Sequence, residues 1–105
     1  MNRNFISELE ELVLLMTGLL APDAYAYSIR MEIKDQIGKS LSQASVHTIL
    51  YRLEKGGLLD SVLGGKSEKR GGRSKRLFTL TQTGRETVEN IHSVRQAIWA
   101  KMQPI

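Results

Sequence analysis

The stretch "LSQASVHTILYRLEKGG", residues 41–57, has the pattern of an amphipathic helix with a start signal and a stop signal. Ser42 is a good N-cap residue, and the glycine pair at 56–57 can end a helix. Between them, apolar side chains recur three and four positions apart, which is the spacing of one helix face. These side chains are Val46, Ile49, Leu50 and Leu53. The stretch therefore predicts a helix over residues 42–55 with one buried face.

The opposite face of this predicted helix is small and polar. It holds Gln43, Ala44, His47, Thr48, Tyr51 and Lys55. Such groups can contact base edges in the major groove of DNA, where glutamine can pair with adenine and methyl groups can touch thymine. An ordinary exposed helix face is the alternative interpretation. Arg52 lies beside this face, where it can reach a phosphate or pair with Glu54 or another acid.

Two helices are predicted before this stretch. The first spans residues 4–20, and the Ala21-Pro22 pair ends its pattern of apolar residues three and four apart. The second spans residues 24–38, with Asp23 as its cap and Gly38 at its end. The predicted inward-facing residues are Phe5, Leu9, Leu12, Val13, Met16, Leu19 and Leu20 in the first helix, and Tyr25, Ile29, Ile33 and Ile37 in the second.

A glycine-rich basic loop follows the central helix. Residues 58–63 and 75–80 have the composition of two short strands, so residues 58–80 are predicted to form a hairpin. Residues 66–76 hold six Lys or Arg and one Glu, a charge of +5, and since the whole chain carries +4, the remainder sums to −1. A basic hairpin tip can follow the phosphates of a nucleic acid. A solvated loop is the alternative.

Gly65-Lys66-Ser67 resembles the end of a nucleotide-binding loop, but the rest of that motif is missing. A P-loop needs a glycine five residues before Gly65, where this chain has Asp60, and it needs a helix directly afterwards. A nucleotide-using enzyme is therefore the disfavoured alternative. His47 and His92 are the only histidines and there is no cysteine. We expect no catalytic site, no metal site and no cofactor.

Composition predicts a single cytoplasmic domain. The chain has 105 residues, of which 41% are hydrophobic and 25% charged, as in an ordinary globular domain. Its longest apolar run, residues 12–21, is shorter than the roughly 20 residues that span a bilayer. Acidic residues precede this run, where a signal peptide needs basic ones. No membrane association is expected.

The order of predicted elements indicates a winged helix-turn-helix, mainly α with a small antiparallel β-hairpin. Over essentially its full length the chain resembles the PadR-type transcriptional regulators, in the short form without a separate effector domain. The matching segments are Tyr25-Ala26-Tyr27-Ser28-Ile29, Leu41-Ser42, Ser45-Val46, Leu50, Arg52-Leu53-Glu54, Gly57-Leu58-Leu59, Gly72-Arg73-Ser74-Lys75-Arg76, Phe78, Leu80-Thr81 and Gly84. His47 stands where a tyrosine is usual, and Leu77 replaces one aromatic of an aromatic pair.

The resemblance implies a sequence-specific repressor that binds double-stranded DNA. The residues expected to contact DNA are Gln43, Ala44, His47, Thr48, Tyr51, Arg52, Lys69, Arg70, Arg73 and Lys75. Because His47 departs from the family pattern, the base preference of relatives is not carried over. The alternative is a winged helix that buries the same helix face against another protein and does not bind duplex DNA.

The resemblance also implies a homodimer formed by the first and last helices. Thr81 can cap the last helix, predicted over residues 81–102, whose broad apolar face needs a partner. The expected interface residues are Leu9, Leu12, Val88, Ile91, Arg95, Ile98, Trp99 and Met102. Arg95 is expected at the edge of the interface or in an interchain salt bridge. Trp99 is interpreted as interface packing, with stacking on a small aromatic effector as the alternative.

Overall fold

Four helices and one β-hairpin make up the computed structural model, which describes the backbone of residues 6–67 and 73–104 and the side chains of residues 6–64 and 75–104. In chain order the elements are α1 (Glu8–Leu20), α2 (Ala26–Ile37), α3 (Gln43–Lys55), β1 (Leu59–Ser67), β2 (Arg73–Leu80) and α4 (Gln82–Lys101). The strands pair antiparallel, from Leu59 opposite Leu80 to Ser67 opposite Arg73. The predicted fold class, mainly α with one small hairpin, is confirmed.

Side-chain caps fix where three of these helices begin. Ser7 forms a capping box with Glu10, since its hydroxyl accepts from the Glu10 N–H at 3.0 Å and its own N–H donates to the Glu10 carboxylate at 2.8 Å. As a result, α1 begins at Glu8 and not at residue 4. The hydroxyls of Ser42 and Thr81 each accept a backbone N–H at 3.0 Å, at the positions where the sequence indicated caps for α3 and α4.

The second helix begins later than predicted, and Asp23 is not its cap. Tyr25 is the N-cap residue of α2. The Ser28 hydroxyl accepts from the Tyr25 N–H at 3.0 Å and donates to the Asp23 carbonyl at 2.8 Å, which ties the first turn to the segment before it. The helix ends as predicted at Gly38, whose φ of +72° is in the left-handed region that favours glycine.

The hydrophobic core lies between the first three helices, the hairpin and the beginning of α4. The buried stripe predicted for α3, Val46, Ile49, Leu50 and Leu53, is confirmed. The inner face of α1 differs from the prediction, because Leu14 and Thr17 are buried while Leu19 is 60% exposed. The Thr17 hydroxyl donates to the Val13 carbonyl at 2.8 Å, which satisfies a polar group inside the core. Ile37, in the last turn of α2, is exposed rather than buried.

The last helix is anchored at its beginning and projects beyond the core. Gly84 lies so close to the residue before β1 that a Cβ atom there would overlap the carbonyl oxygen of Leu58. Thr87 and Val88 are buried, and every position of α4 after Ile91 is exposed. With 20 residues, α4 is about 30 Å long. Within residues 6–67 and 73–104, no helix has both the length and the apolarity needed to cross a membrane.

Candidate nucleic-acid interface

The outward face of α3 is exposed and nearly uncharged. Ala44, His47 and Thr48 are exposed, and Tyr51 is 57% exposed. The rings of His47 and Tyr51 stack one helical turn apart, with centroids 6.2 Å apart and planes at 25°. The Thr48 hydroxyl donates to the Ala44 carbonyl at 3.0 Å, which leaves its methyl group and its oxygen lone pairs available. This face therefore offers mixed polar and methyl groups of the kind that contact base edges.

Gln43 differs from its neighbours on this face because it is half-buried and hydrogen-bonded to α2. Its Oε1 accepts from the Nε of Arg30 at 2.8 Å. The guanidinium of Arg30 also lies 5.5 Å from the centre of the Tyr27 ring, within cation–π range. Sequence reasoning missed Arg30 as a site residue. The spacing of three between Tyr27 and Arg30, which places both on one helix face, is the signal that was available.

Arg52 pairs with an acid of α1. Its Nη1 lies 3.5 Å from the Glu10 carboxylate, and the Arg52 side chain is 63% exposed. Glu54 takes part in a different contact, since it accepts from the Ser61 hydroxyl at 2.7 Å, and that hydroxyl accepts from Arg76 at 2.9 Å. The Glu10 side chain is only 14% exposed, but Arg52 is accessible to solvent, where its guanidinium can contact a phosphate.

The hairpin is fixed beside both helices of the helix-turn-helix. Phe78 donates its N–H to the Ala24 carbonyl at 2.8 Å, so the segment before α2 runs along β2. The Lys75 ammonium lies 4.4 Å from the centre of the Tyr25 ring, at the beginning of α2. Together with the contact from Glu54 through Ser61 to Arg76, this places the described part of the hairpin next to α3. Of the predicted wing residues, Lys69 and Arg70 lie outside the described residues, and so does the side chain of Arg73.

A second surface, the apolar stripe of α4, is defined by Val94, Ile98, Trp99 and Met102. Their side chains are between 51% and 71% exposed, and Leu15 and Leu19 of α1 are also exposed. Exposed apolar side chains grouped in this way are typical of an interaction surface. Trp99, Met102 and Arg95 line a groove of about 430 Å³ together with Gln96 and Ile98.

Several residues predicted for the interface are already used within the chain. Val88 is 8% exposed and belongs to the core, so it has little surface left for a partner. Leu9 and Leu12 are half-buried against the same core, and Ile91 is also half-buried. Arg95 forms an ion pair with Glu11 of its own chain at 3.4 Å, and the predicted edge position or interchain bridge of Arg95 stays a prediction.

Comparison with known proteins identifies similar sequences and folds. The model of the transcriptional regulator PadR-like family matches residues 15–90. A PadR-like transcription factor from Bacteroides fragilis is 19% identical with a TM-score of 0.73, over 86% of this chain and 82% of that one. A PadR-like transcriptional regulator from Bacillus cereus is 19% identical with a TM-score of 0.65, over 90% and 93%.

One similar structure was solved with a nucleic acid. Bacillus subtilis PadR in complex with operator DNA is 20% identical to this chain with a TM-score of 0.66, over 94% of this chain and 51% of that one. No curated protein sequence matches the chain. These likenesses confirm the winged helix-turn-helix fold.

Proposed function

Because the chain belongs to the PadR-like family of transcriptional regulators, we propose that it is a homodimeric repressor that binds a pseudo-palindromic operator in the cytoplasm. Members of this family are DNA-binding transcription factors, so the prediction that the chain is not an enzyme is confirmed. The observation that carries the proposal of operator binding is the outward face of α3, which is exposed, varied in chemistry and flanked by a basic hairpin.

In the proposed complex, α3 enters the major groove and the hairpin follows the backbone beside it. Ala44, His47, Thr48 and Tyr51 contact base edges, and Gln43 lies at the start of the helix where it also reaches a base. Arg52 and Lys75 contact phosphates, and Lys69, Arg70 and Arg73 follow the backbone or the adjacent minor groove. The sequence-independent part of the affinity comes from these cations.

The proposed dimer places the apolar stripe of α4 against a second copy of the chain together with α1. A twofold axis then presents two copies of α3 to the same side of a duplex, and their half-sites lie one helical turn, about 34 Å, or a multiple of it apart. Trp99 packs in this interface. A flat aromatic effector stacked on Trp99 is the second interpretation, and quenching of tryptophan fluorescence by such a compound tests it directly, since Trp99 is the only tryptophan.

Selection of bound sequences from random duplex DNA tests the proposed binding to a pseudo-palindromic operator. We expect an inverted repeat to be enriched. Two hairpins with about three phosphate contacts each predict that the logarithm of the binding constant falls against the logarithm of salt with a slope of about −5. No enrichment, with affinity independent of salt, would contradict the proposal and favour a winged helix that binds protein.

A pair of charge reversals provides the matched control for that experiment. Arg73→Glu removes a proposed phosphate contact, so we expect weaker binding to all duplexes and a shallower salt slope. Arg85→Glu makes the same change of charge on the exposed side of α4, where Arg85 pairs only loosely with Glu89 at 3.8 Å. If the hairpin contacts phosphates as proposed, Arg73→Glu should lose clearly more affinity for duplex DNA than Arg85→Glu.

A further inference from the structure

The hydrogen bond between Arg30 and Gln43 fixes which end of the glutamine amide faces α2. A guanidinium carries only donors, so the atom 2.8 Å from Arg30 Nε must be the carbonyl oxygen Oε1. The NH₂ end of the same amide consequently points away from Arg30. A free glutamine side chain can present either its donor end or its acceptor end to a base, and this contact removes that freedom.

Arg30 is itself held by a row of stacked side chains that begins at the hairpin. The Lys75 ammonium lies 4.4 Å from the centre of the Tyr25 ring, and the Tyr25 and Tyr27 rings stack with centroids 6.4 Å apart. The Arg30 guanidinium then lies 5.5 Å from the Tyr27 ring, and its Nε reaches Gln43. Two stacked rings lie between two cations in this row, which connects β2 through the beginning of α2 to the first residue of α3.

We propose that Arg30 is a positioning residue that makes Gln43 a hydrogen-bond donor to the base it meets, so that this position of each half-site is read as guanine. The inference rests on the proposed function, because it requires α3 to lie in the major groove. Guanine presents two acceptors there, O6 and N7, whereas adenine presents one acceptor and one donor. Bidentate pairing with adenine needs both ends of the amide to face the base, whereas Arg30 occupies one of the two lone pairs of Oε1 and holds that end towards α2.

A merely electrostatic role for Arg30 makes a different prediction. A cation near the duplex strengthens binding to every sequence, because phosphate contacts carry no base information. A positioning role instead changes the preference at one base pair of each half-site. The two roles are therefore separated by comparing affinities across the four bases at that position rather than by total affinity.

The experiment uses the full chain and its selected operator, with the four base pairs tested in turn at the position that Gln43→Ala affects. We expect the unaltered chain to prefer guanine over adenine there by about 10-fold, and Gln43→Ala to reduce this preference to about 2-fold. Arg30→Met keeps an unbranched apolar stem beside Tyr27 but removes the donor, so it should cause the same loss at the same position. The double variant should lose no more of the preference for guanine than either single variant does, because both changes remove the same contact.

Two further variants distinguish the positioning of Gln43 by Arg30 from the effect of the positive charge of Arg30. Arg30→Lys keeps the charge but lacks the rigid fork of donors, so the preference should fall while binding to random duplex stays within about 2-fold. Arg85→Met removes an equal charge from α4 and should leave the preference unchanged. Far-ultraviolet circular dichroism and thermal melts establish that each variant folds, and Arg30→Lys serves as the test if Arg30→Met does not.

An adenine preference in the unaltered chain would overturn the inference. So would a uniform loss of affinity across all four bases in the Arg30 variants, or a loss of preference at a position that Gln43→Ala leaves unaffected. If the unaltered chain binds an operator but any of these contradicting outcomes is found, the proposed role of Arg30 fails while the proposed function stands. If the unaltered chain enriches no duplex sequence at all, the proposed function fails, and this inference fails with it.

Discussion

At the scale of single residues, two helical glycines differ in what a methyl group would contact. A Cβ at Gly84 would overlap the Leu58 carbonyl oxygen, which belongs to the backbone and cannot rotate away. A Cβ at Gly18 would lie 3.1 Å from the Cδ1 atom of Leu80, the end of a flexible side chain. The two positions are thus a matched pair for the same substitution.

We expect Gly84→Ala to lower the free energy of unfolding by about 2 kcal/mol or more, because the backbone of α4 or β1 must shift to remove the overlap. Gly18→Ala should change it by less than about 1 kcal/mol, since alanine favours the helix and Leu80 can adjust. Urea denaturation at one fixed protein concentration measures both. Similar effects of the two substitutions would contradict the close approach of α4 to the backbone of Leu58.

Local contacts could be predicted from the sequence, whereas contacts between distant residues could not. Ser42 and Thr81 were identified as caps because the donor they satisfy lies three residues away. Asp23 was wrong as a cap because the Ser28 hydroxyl bonds the backbone there instead, an outcome that depends on geometry and not on residue type. The bond between Arg30 and Gln43 joins residues 13 apart in sequence, so no local pattern indicates it.

At the scale of an element, the beginning of α3 depends on one hydroxyl. Ser42 accepts the Ser45 N–H at 3.0 Å and also donates to the Ser45 hydroxyl at 2.9 Å. We expect Ser42→Ala to lower the free energy of unfolding by about 1 kcal/mol, because an N–H of the first turn loses its acceptor. Ser40→Ala, at an exposed position two residues earlier, should have no measurable effect in the same thermal or urea melts. Equal effects at both positions would argue against the cap.

Periodicity predicted α3 better than α1 for a physical reason. The outward positions of α3 are small, polar or aromatic, so only one apolar stripe is present and it is the buried one. In α1, residues 12–16 are all apolar, and the sequence alone does not say which of them face the core. The structure buries Leu14 and leaves Leu15 and Leu19 exposed. A helix with more apolar residues than one buried face can hold indicates a second contact surface, but the sequence does not show where that surface lies.

At the scale of the whole molecule, the apolar stripe of α4 predicts the oligomeric state. Val94→Lys combined with Ile98→Lys puts two charges into the proposed interface, and burying them unpaired is unfavourable. We expect this variant to sediment as a monomer and to bind the operator at least about 10-fold more weakly, because its half-sites are then bound independently.

The matched control for this variant carries the same two lysines on the other side of the helix. Ser93 and Ala100 are exposed, and the 3.6-residue period places them opposite the apolar stripe. Ser93→Lys combined with Ala100→Lys should therefore sediment like the unaltered chain. Dimers from both double variants would contradict a place for α4 in the interface, and monomers from both would contradict the assignment of the interface to the apolar stripe.

Because α4 is an uninterrupted helix from Gly84 to Trp99, it also sets the direction in which its distal side chains point around the helix axis. Since the start of the helix is locked against Leu58, each later side chain points in a direction fixed by its residue count from that anchor. One residue inserted after Glu89 would advance the distal half by 1.5 Å and swing it through about 100°. Val94 and Ile98 would then point in a new direction while α3 kept its position. The number of residues in α4 therefore determines how the two copies of α3 in the proposed dimer are oriented relative to each other.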